Sequence, residues 1–185
     1  MDRLSLSTIR EHVMSKARTT RRVLAWAAVA LAADQISKWL ILNKVMVPPR
    51  IIELTPFLNV RLGFNYGVSF GLGSEWLDAW PGALGLFKFV VAIGLLVWAA
   101  KSETNLEQIG LSLIAGGALG NATDRWRQGA VTDFIDLHWA GYHWPTFNGA
   151  DIAISIGVSL ILVVSLMPLN SRSAPSHTGL KGGSK

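Results

Sequence analysis

The sequence predicts a mainly α membrane protein with four transmembrane helices, a small extracytoplasmic β-sheet and both termini in the cytoplasm. Half of its 185 residues are hydrophobic and only 16% are charged, whereas soluble domains carry about 25% charged residues. Four apolar segments are each long enough to cross a bilayer, and basic residues collect at both ends of the chain. We therefore expect a basic N-terminal segment at 1–22, one membrane domain at 23–169 and a flexible cytoplasmic tail at 170–185.

Each predicted span contains about 20 mostly apolar residues, the length that a helix needs to cross the hydrocarbon layer. The spans lie at 23–42, 82–100, 106–123 and 149–169. The third is the least apolar and is rich in glycine, and small residues of this kind let helices approach closely in lipid. The first also resembles a cleavable secretory signal, because Arg21 and Arg22 precede it. Its apolar character resumes after Asp34, however, so the run is long enough to span the membrane.

Lysine and arginine predict the orientation, because they are enriched in cytoplasmic flanks. Six of them precede residue 23, namely Arg3, Arg10, Lys16, Arg18, Arg21 and Arg22. The short connection around Lys101 and the tail after residue 170 would also face the cytoplasm. Residues 43–81 and 124–148 would then face outward, and we expect a multi-pass protein.

Composition excludes several classes of function. The absence of cysteine excludes disulfides, a cysteine nucleophile and thiolate metal sites. The net charge of +5 would suit nucleic acid, but no basic-aromatic recognition pattern accompanies it. Basic ends beside long apolar runs fit the flanks of a membrane protein better. We therefore expect membrane lipid, and no nucleic acid, as a partner.

The outer loop at about 51–73 is predicted to be rich in β-structure. Polar and apolar residues alternate strictly from residue 59 to residue 70, with apolar side chains at Val60, Leu62, Phe64, Tyr66, Val68 and Phe70. This period of two is typical of a half-buried strand whose apolar side chains line one face. Two interpretations stay open, a small sheet that holds an extended peptide and a plain hairpin that caps the bundle.

Ionisable residues inside membrane spans are costly and are functional candidates by default. Asp34 and Lys38 lie four residues apart in the first span, share one helix face and can pair. A structural ion pair is the preferred interpretation for them. Lys88 in the second span is expected to extend its ammonium toward the lipid headgroups, and no role is predicted for it.

Asn121, Asp124 and Arg125 end the third span near the outer interface. Asp124 and Arg125 could form an ion pair at the helix end. Alternatively, Arg125 could hold a loop or a substrate carbonyl, and the residues alone do not decide between these roles.

Carboxylates near the outer interface are the candidates for chemistry. Asp133 and Asp136 lie in a short apolar segment, and Asp151 opens the fourth span. Two close carboxylates in a low-dielectric site share one proton, which provides a base to activate water and an acid to protonate a leaving group. Asp151 also has a structural explanation, since Asn148 can cap the fourth helix with Asp151 as its N3 acid. The sequence pattern alone does not show whether Asp133 or Asp136 pairs with Asp151.

Other functions are less well supported. His138 and His143 could bind a metal with Asp133 or Asp136, but no His-Glu-x-x-His helix is present. We expect neither a metal nor a cofactor. A transporter that uses the membrane carboxylates as an ion path is the main rival class, although four spans are few and no inverted repeat is visible. A non-catalytic assembly factor is the third class.

Five elements occur in a characteristic order: Asp34-Gln-Ile-Ser-Lys38, Asn65-Tyr-Gly-Val-Ser-Phe70, Gly116-Gly-Ala-Leu-Gly-Asn-Ala-Thr-Asp-Arg125, Val131-Thr-Asp-Phe134 and Phe147-Asn-Gly-Ala-Asp151. Their order and content are similar to those of lipoprotein signal peptidases (signal peptidase II), a family of intramembrane aspartic proteases. The third and fifth elements are the most specific, and the resemblance covers about residues 24–168. Ser69, Thr132 and Gly149 depart from the family's commoner residues.

The resemblance implies that Asp133 and Asp151 are the catalytic pair, which leaves Asp136 out. It implies supporting or substrate-binding roles for Asn65, Asn121, Arg125, Asn148, Asp34 and Lys38.

The resemblance also implies an activity and a location. The substrates would be diacylglyceryl-modified bacterial prolipoproteins, which lose their signal peptides by cleavage before the lipidated cysteine. The active site would lie near the outer face of the bacterial cytoplasmic (inner) membrane, and the cyclic peptide globomycin would inhibit it. We expect a monomer.

Overall fold

Residues 6–67 and 81–167 are described by this computed structural model. The elements in chain order are α1 (Leu6–Leu40), β1 (Ile51–Thr55), β2 (Leu58–Asn65), α2 (Pro81–Lys101), α3 (Asn105–Gln128), β3 (Val131–Trp139), β4 (Tyr142–His143) and α4 (Gly149–Leu166). A π-helical turn (Ile41–Val45) continues α1. The predicted mainly helical class with a small antiparallel sheet is confirmed. The predicted tail at 170–185 and the end of the predicted outer loop, from Val68 onward, lie outside the described residues.

Three helices in the described residues are long and apolar enough to cross a membrane: Val13–Val45, Gly82–Lys101 and Gly149–Leu166. Helix α3, which contains the third predicted span, is not one of them. It packs against α1, α2 and α4, and most of its residues between 108 and 125 are buried. A helix that protein surrounds has little need of apolar side chains, which explains why α3 carries so many polar ones.

Helix α1 buries one stripe of residues along its length. Val23, Ala27, Ala30, Asp34 and Lys38 follow at spacings of three or four residues and are all buried, as expected for one face of a helix. The opposite face exposes large apolar side chains, among them Trp26, Val29 and Ile36. The helix begins at Leu6, so most of the basic N-terminal segment is helical rather than irregular.

Glycines let α1 and α4 approach α3 closely. A Cβ atom added at Gly117 would lie 2.5 Å from the carbonyl oxygen of Ala150 at the start of α4. A Cβ atom at Gly120 would collide with the carboxylate of Asp34 in α1. The small residues of the third predicted span therefore do serve close helix packing.

The four strands form an antiparallel sheet in the order β1-β2-β3-β4. Strand β2 pairs with β3 so that Asn59 lies opposite Asp136 and Gly63 lies opposite Asp133, with a register shift between Val60 and Gly63. The sheet interpretation is therefore correct, and the plain hairpin interpretation is wrong, because β3 comes from a distant part of the chain.

The most buried residue of β2 is a polar one. Asn59 is only 6% exposed, whereas the apolar Phe64 is 47% exposed. The alternation correctly predicted a strand, but the register shift between Val60 and Gly63 interrupts its two faces. Asn59 is buried because Asp136 of β3 needs a hydrogen-bonding partner, and the asparagine amide provides it.

Helix α3 and strand β3 are joined by a tight turn at Gly129, whose φ of 78° is in the left-handed region that favours glycine. The segment before α4 then runs beside β3. The backbone N–H of Phe134 donates to the carbonyl of Phe147 (3.0 Å), and that of Phe147 donates to the carbonyl of Ile135 (3.1 Å). These bonds bring Asn148 beside Asp133.

Candidate active site

Asp133 is buried in the middle of β3, with 3% of its surface exposed. Its Oδ1 accepts a hydrogen bond from Nδ2 of Asn148 at 2.6 Å. Burial raises the pKa of Asp133 to about 6, and the charge of Asp151 adds to this, although hydrogen bonds from Asn148 and Asn65 act in the opposite direction. The carboxyl group can therefore hold a proton up to about pH 6.

Asp151 occupies the N3 position of α4 and takes part in a capping box. The backbone N–H of Asp151 donates to Oδ1 of Asn148 (3.1 Å), and the backbone N–H of Asn148 donates to Oδ2 of Asp151 (3.2 Å). The capping interpretation is therefore confirmed. The other carboxylate oxygen of Asp151, Oδ1, accepts a hydrogen bond from Nδ2 of Asn121 at 3.0 Å. Capping therefore occupies only one of the two oxygens.

Two amides connect the carboxyl groups of Asp133 and Asp151. Nδ2 of Asn148 donates to Oδ1 of Asn121 (3.2 Å) as well as to Asp133. Asn121 in turn donates to Asp151. Residues from α3, β3 and the start of α4 thus form one continuous hydrogen-bonded chain, which fixes the relative positions of the two carboxyl groups.

A buried charge cluster lies behind Asn121. The Nζ of Lys38 is 2.8 Å from Oδ2 of Asp34, 2.8 Å from Oδ2 of Asp124 and 3.0 Å from Oδ1 of Asn121. The predicted ion pair between Asp34 and Lys38 is confirmed, but Asp124 belongs to it as well. The contacts with Asp34 and Asn121 are hydrogen bonds, and the two carboxylates compensate the charge of the buried lysine.

The cluster also holds the neighbouring backbone in place. Oδ1 of Asp34 accepts a bond from the N–H of Ala150 (2.9 Å), next to Asp151. Oδ2 of Asp124 accepts a bond from the N–H of Thr132 (3.1 Å), next to Asp133. The backbone next to each aspartate of the candidate pair is therefore hydrogen-bonded to the same charge cluster.

Arg125 does not bond to its neighbour Asp124 in the described residues. Its Nη2 donates to the carbonyl oxygen of Gly67 at 3.0 Å, and its Nη1 reaches the carbonyl oxygen of Asn121 at 3.5 Å. Of the two sequence alternatives, the structure favours the one in which Arg125 holds a loop. The alternative ion pair with Asp124 is absent from the described residues, and Asp124 pairs with Lys38 instead.

Asp133 and Asp151 line a common cavity of about 380 Å³. Asn65, Asn121 and Arg125 line it too, as the resemblance implied, together with Leu84, Lys88 and the segment from Trp144 to Phe147. Sequence reasoning missed Lys88. The signal was present, since Lys88 is an ionisable residue inside an apolar helix, the same property that singled out Asp34.

Asp136 is outside this cavity, which distinguishes it from Asp133. It accepts hydrogen bonds from Nδ2 of Asn59 (3.2 Å) and from Nδ1 of His143 (2.9 Å), and Arg61 lies 3.8 Å away. Burial opposes ionisation of Asp136, but these partners outweigh it and lower its pKa. In the part of the chain that the structure describes, no group of three or more potential metal ligands is found.

The sequence profile of the family described as Signal peptidase (SPase) II matches residues 26–167. The chain belongs to the signal peptidase II family. It is therefore a protease, and the family resemblance seen in the five sequence elements is confirmed.

Relatives support the assignment to signal peptidase II. The chain is 44% identical to the lipoprotein signal peptidase of Polynucleobacter necessarius subsp. necessarius over 84% of this chain and 96% of that protein. It is 40% identical to the lipoprotein signal peptidase of Rhodopseudomonas palustris over 80% of this chain and 93% of that protein. It also matches the solved structure of a bacterial membrane enzyme with a TM-score of 0.66 and 30% identity, covering 86% of this chain and 94% of that one.

Proposed function

We propose that this signal peptidase removes signal peptides from diacylglyceryl-modified bacterial prolipoproteins, by cleavage before the lipidated cysteine, with Asp133 and Asp151 as the catalytic pair. The observation that carries the proposal is that Asp133 and Asp151 line one cavity and are joined through Asn148 and Asn121. The relatives named lipoprotein signal peptidase support the choice of substrate.

The chemistry requires one proton between the two carboxyl groups. The ionised group takes a proton from water as the water oxygen attacks the peptide carbonyl carbon, and the protonated group donates to the carbonyl oxygen. When the resulting gem-diol collapses, the C–N bond breaks and the carboxyl group that took the water proton donates it to the leaving nitrogen. The other carboxylate takes a proton from one hydroxyl of the gem-diol, which restores the pair with one proton. No metal is required at any step, because the carboxyl pair supplies both the base and the acid.

The remaining cavity residues are proposed to support this pair. Asn65 and Arg125 would contact the peptide, since both line the cavity. Asn121 and Asn148 would hold the carboxyl groups in place, while Asp34 and Lys38 would support them from behind. Globomycin would inhibit by occupying the cavity.

The protein is proposed to cross the cytoplasmic (inner) membrane four times as a monomer, with α3 as the span that the three apolar helices enclose. Helix α3 has 24 residues, and about 20 suffice to cross the hydrocarbon layer. The basic residues before position 23 support a cytoplasmic N-terminus. The aspartate pair would then lie near the outer face, where water and the extended peptide can reach it.

Purified protein incubated with a diacylglyceryl-modified prolipoprotein tests the proposal. We expect a released signal peptide and a new N-terminal lipidated cysteine, both measured by mass spectrometry, and loss of both products when globomycin is added. An unmodified prolipoprotein is the matched substrate control and should be cut far more slowly. Ion flux in proteoliposomes without any proteolysis would instead support a transporter.

The raised pKa of Asp133 predicts how cleavage depends on pH. Below about pH 6 Asp133 keeps its proton, so the pair can contain one acid and one base. As the pH rises through about 6 this proton is lost, and kcat/KM should fall with a midpoint near that value. The measurement is a pH–rate profile from pH 4 to pH 9. A rate that stays constant across this range would contradict the shared-proton mechanism.

A further inference from the structure

The two carboxyl groups of the pair have different surroundings. Both oxygens of Asp151 accept N–H hydrogen bonds, Oδ1 from the side chain of Asn121 and Oδ2 from the backbone of Asn148. Asp151 also lies in the first turn of α4, where the helix dipole favours negative charge. Asp133 is only 3% exposed, and its Oδ1 accepts a hydrogen bond from the side chain of Asn148, the N-cap residue of the same helix. The N3 position and the two bonded oxygens of Asp151 therefore favour the negative charge on Asp151, whereas burial favours the proton on Asp133.

Lys88 is placed to strengthen this difference. It lines the cavity one helical turn after Leu84 on α2. Within residues 6–67 and 81–167 its ammonium forms no ion pair with a carboxylate, unlike Lys38. Both carboxyl groups of the pair line the same cavity, so the ammonium charge acts on the pair and stabilises its ionised member.

We propose that Lys88 is a positioning residue for catalysis, which keeps the negative charge of the pair on Asp151 and thereby leaves the shared proton on Asp133. This inference rests on the proposed function, and it assigns the two roles that the function requires. Asp151 is then the base that takes a proton from the attacking water. Asp133 is the acid that donates its proton to the peptide carbonyl oxygen.

Two other cations lie near the pair, and both stay in place in every variant of Lys88. Arg125 of α3 lines the cavity and keeps its positive charge, while hydrogen bonds to backbone carbonyls hold its guanidinium. Behind Asn121, Lys38 is bonded to Asp34 and Asp124, two carboxylates that compensate its charge. The cavity-lining parts of β2 and of the segment from Trp144 to Phe147 contribute no titratable side chain.

The test compares the acid limbs of pH–rate profiles, because that limb reports protonation of the base. Without the nearby ammonium, the base takes up a proton at higher pH. In Lys88→Met we therefore expect the acid midpoint of kcat/KM to rise by roughly half a pH unit to one unit, the size of a partly screened charge interaction. Lys88→Arg retains a positive charge and should keep the midpoint of the unmodified protein.

Two further variants complete the design. Lys101→Met removes a lysine from the far end of the same helix, away from the cavity, and should leave the profile unchanged. Lys88→Gln is a second neutral variant, which should shift the midpoint as Lys88→Met does.

An acid midpoint that stays in place in both neutral variants would overturn the role of Lys88, provided that they cleave substrate. The same conclusion follows if Lys88→Arg shifts as much as Lys88→Met, because shape rather than charge would then matter. Failure of the unmodified protein to cleave any lipid-modified prolipoprotein is a different result, since it would refute the proposed function itself.

Discussion

Replacement of either Asp133 or Asp151 by asparagine is expected to lower prolipoprotein cleavage by about 10³-fold or more. An amide can neither accept the proton of the attacking water nor donate one to the peptide carbonyl, and acid–base groups of this kind contribute about 10²–10⁴-fold each. The measurement is kcat/KM for release of the signal peptide by purified variants in detergent or lipid. Near-normal cleavage by either variant would refute the aspartate pair.

Folding of these variants can be separated from catalysis, because asparagine has nearly the shape of aspartate. In Asp133→Asn the hydrogen bond from Asn148 can persist. The folded-state pKa of Asp133 is raised from 3.8 to about 6, so its carboxylate destabilises the folded state increasingly as the pH rises above the unfolded value. At pH 8 the inactive Asp133→Asn variant should therefore melt no lower than the unmodified protein.

Asp136→Asn is the matched control for this experiment. Asp136 is an acid of the same strand, three residues further along, and it bonds to Asn59 and His143 instead of lining the cavity. We expect the variant to retain cleavage within about tenfold while losing some stability, since a hydrogen bond to a charged group contributes about 1.5–3 kcal/mol. If Asp136→Asn lost as much cleavage activity as Asp133→Asn, the loss would not depend on whether the aspartate lines the cavity.

Lys38→Met is expected to have the largest effect on stability. It would leave the carboxylates of Asp34 and Asp124 buried without their cation, and both are at most 5% exposed. Removal of one partner from a buried ion pair costs about 3–5 kcal/mol, because the remaining charge is uncompensated. Oδ1 of Asn121 would also lose a donor, which frees the amide that orients Asp151. We expect a lower free energy of unfolding in detergent together with slower cleavage.

Two comparisons identify the cause of this loss. Lys44 lies 5.8 Å above the ring of Trp39 and makes no buried ion pair within the described chain, so Lys44→Met should cost at most about 1 kcal/mol. The triple variant Asp34→Asn/Lys38→Met/Asp124→Asn removes the uncompensated charges and should recover part of the stability lost in Lys38→Met. If Lys38→Met and Lys44→Met were equally stable, the buried cluster would contribute little.

Interactions between residues close in sequence could be predicted from the sequence. The i, i+4 spacing of Asp34 and Lys38 predicted their ion pair, because helical geometry alone brings such residues together. The order of Asn148 and Asp151 predicted the capping box for the same reason. The ordered motifs also selected the family, since each element combines residue types that the family requires together.

Interactions between distant parts of the chain depended on the tertiary structure. Asp124 is next to Arg125 in sequence, yet it bonds to Lys38 of another helix. Asn59 is the most buried residue of β2 because β3 presents Asp136 to it across the sheet. Strand alternation shows that two faces differ, but it does not show which of them meets a buried partner.

The long apolar helices and the signal peptidase II motif set could be read from the sequence, because span length and local spacing are properties of the chain alone. The shared cavity of Asp133, Asp151 and Lys88, which leaves Asp136 outside, became visible only in the folded protein. Packing around α3 brings β3, α2 and α4 together, and no local spacing encodes which side chains then meet.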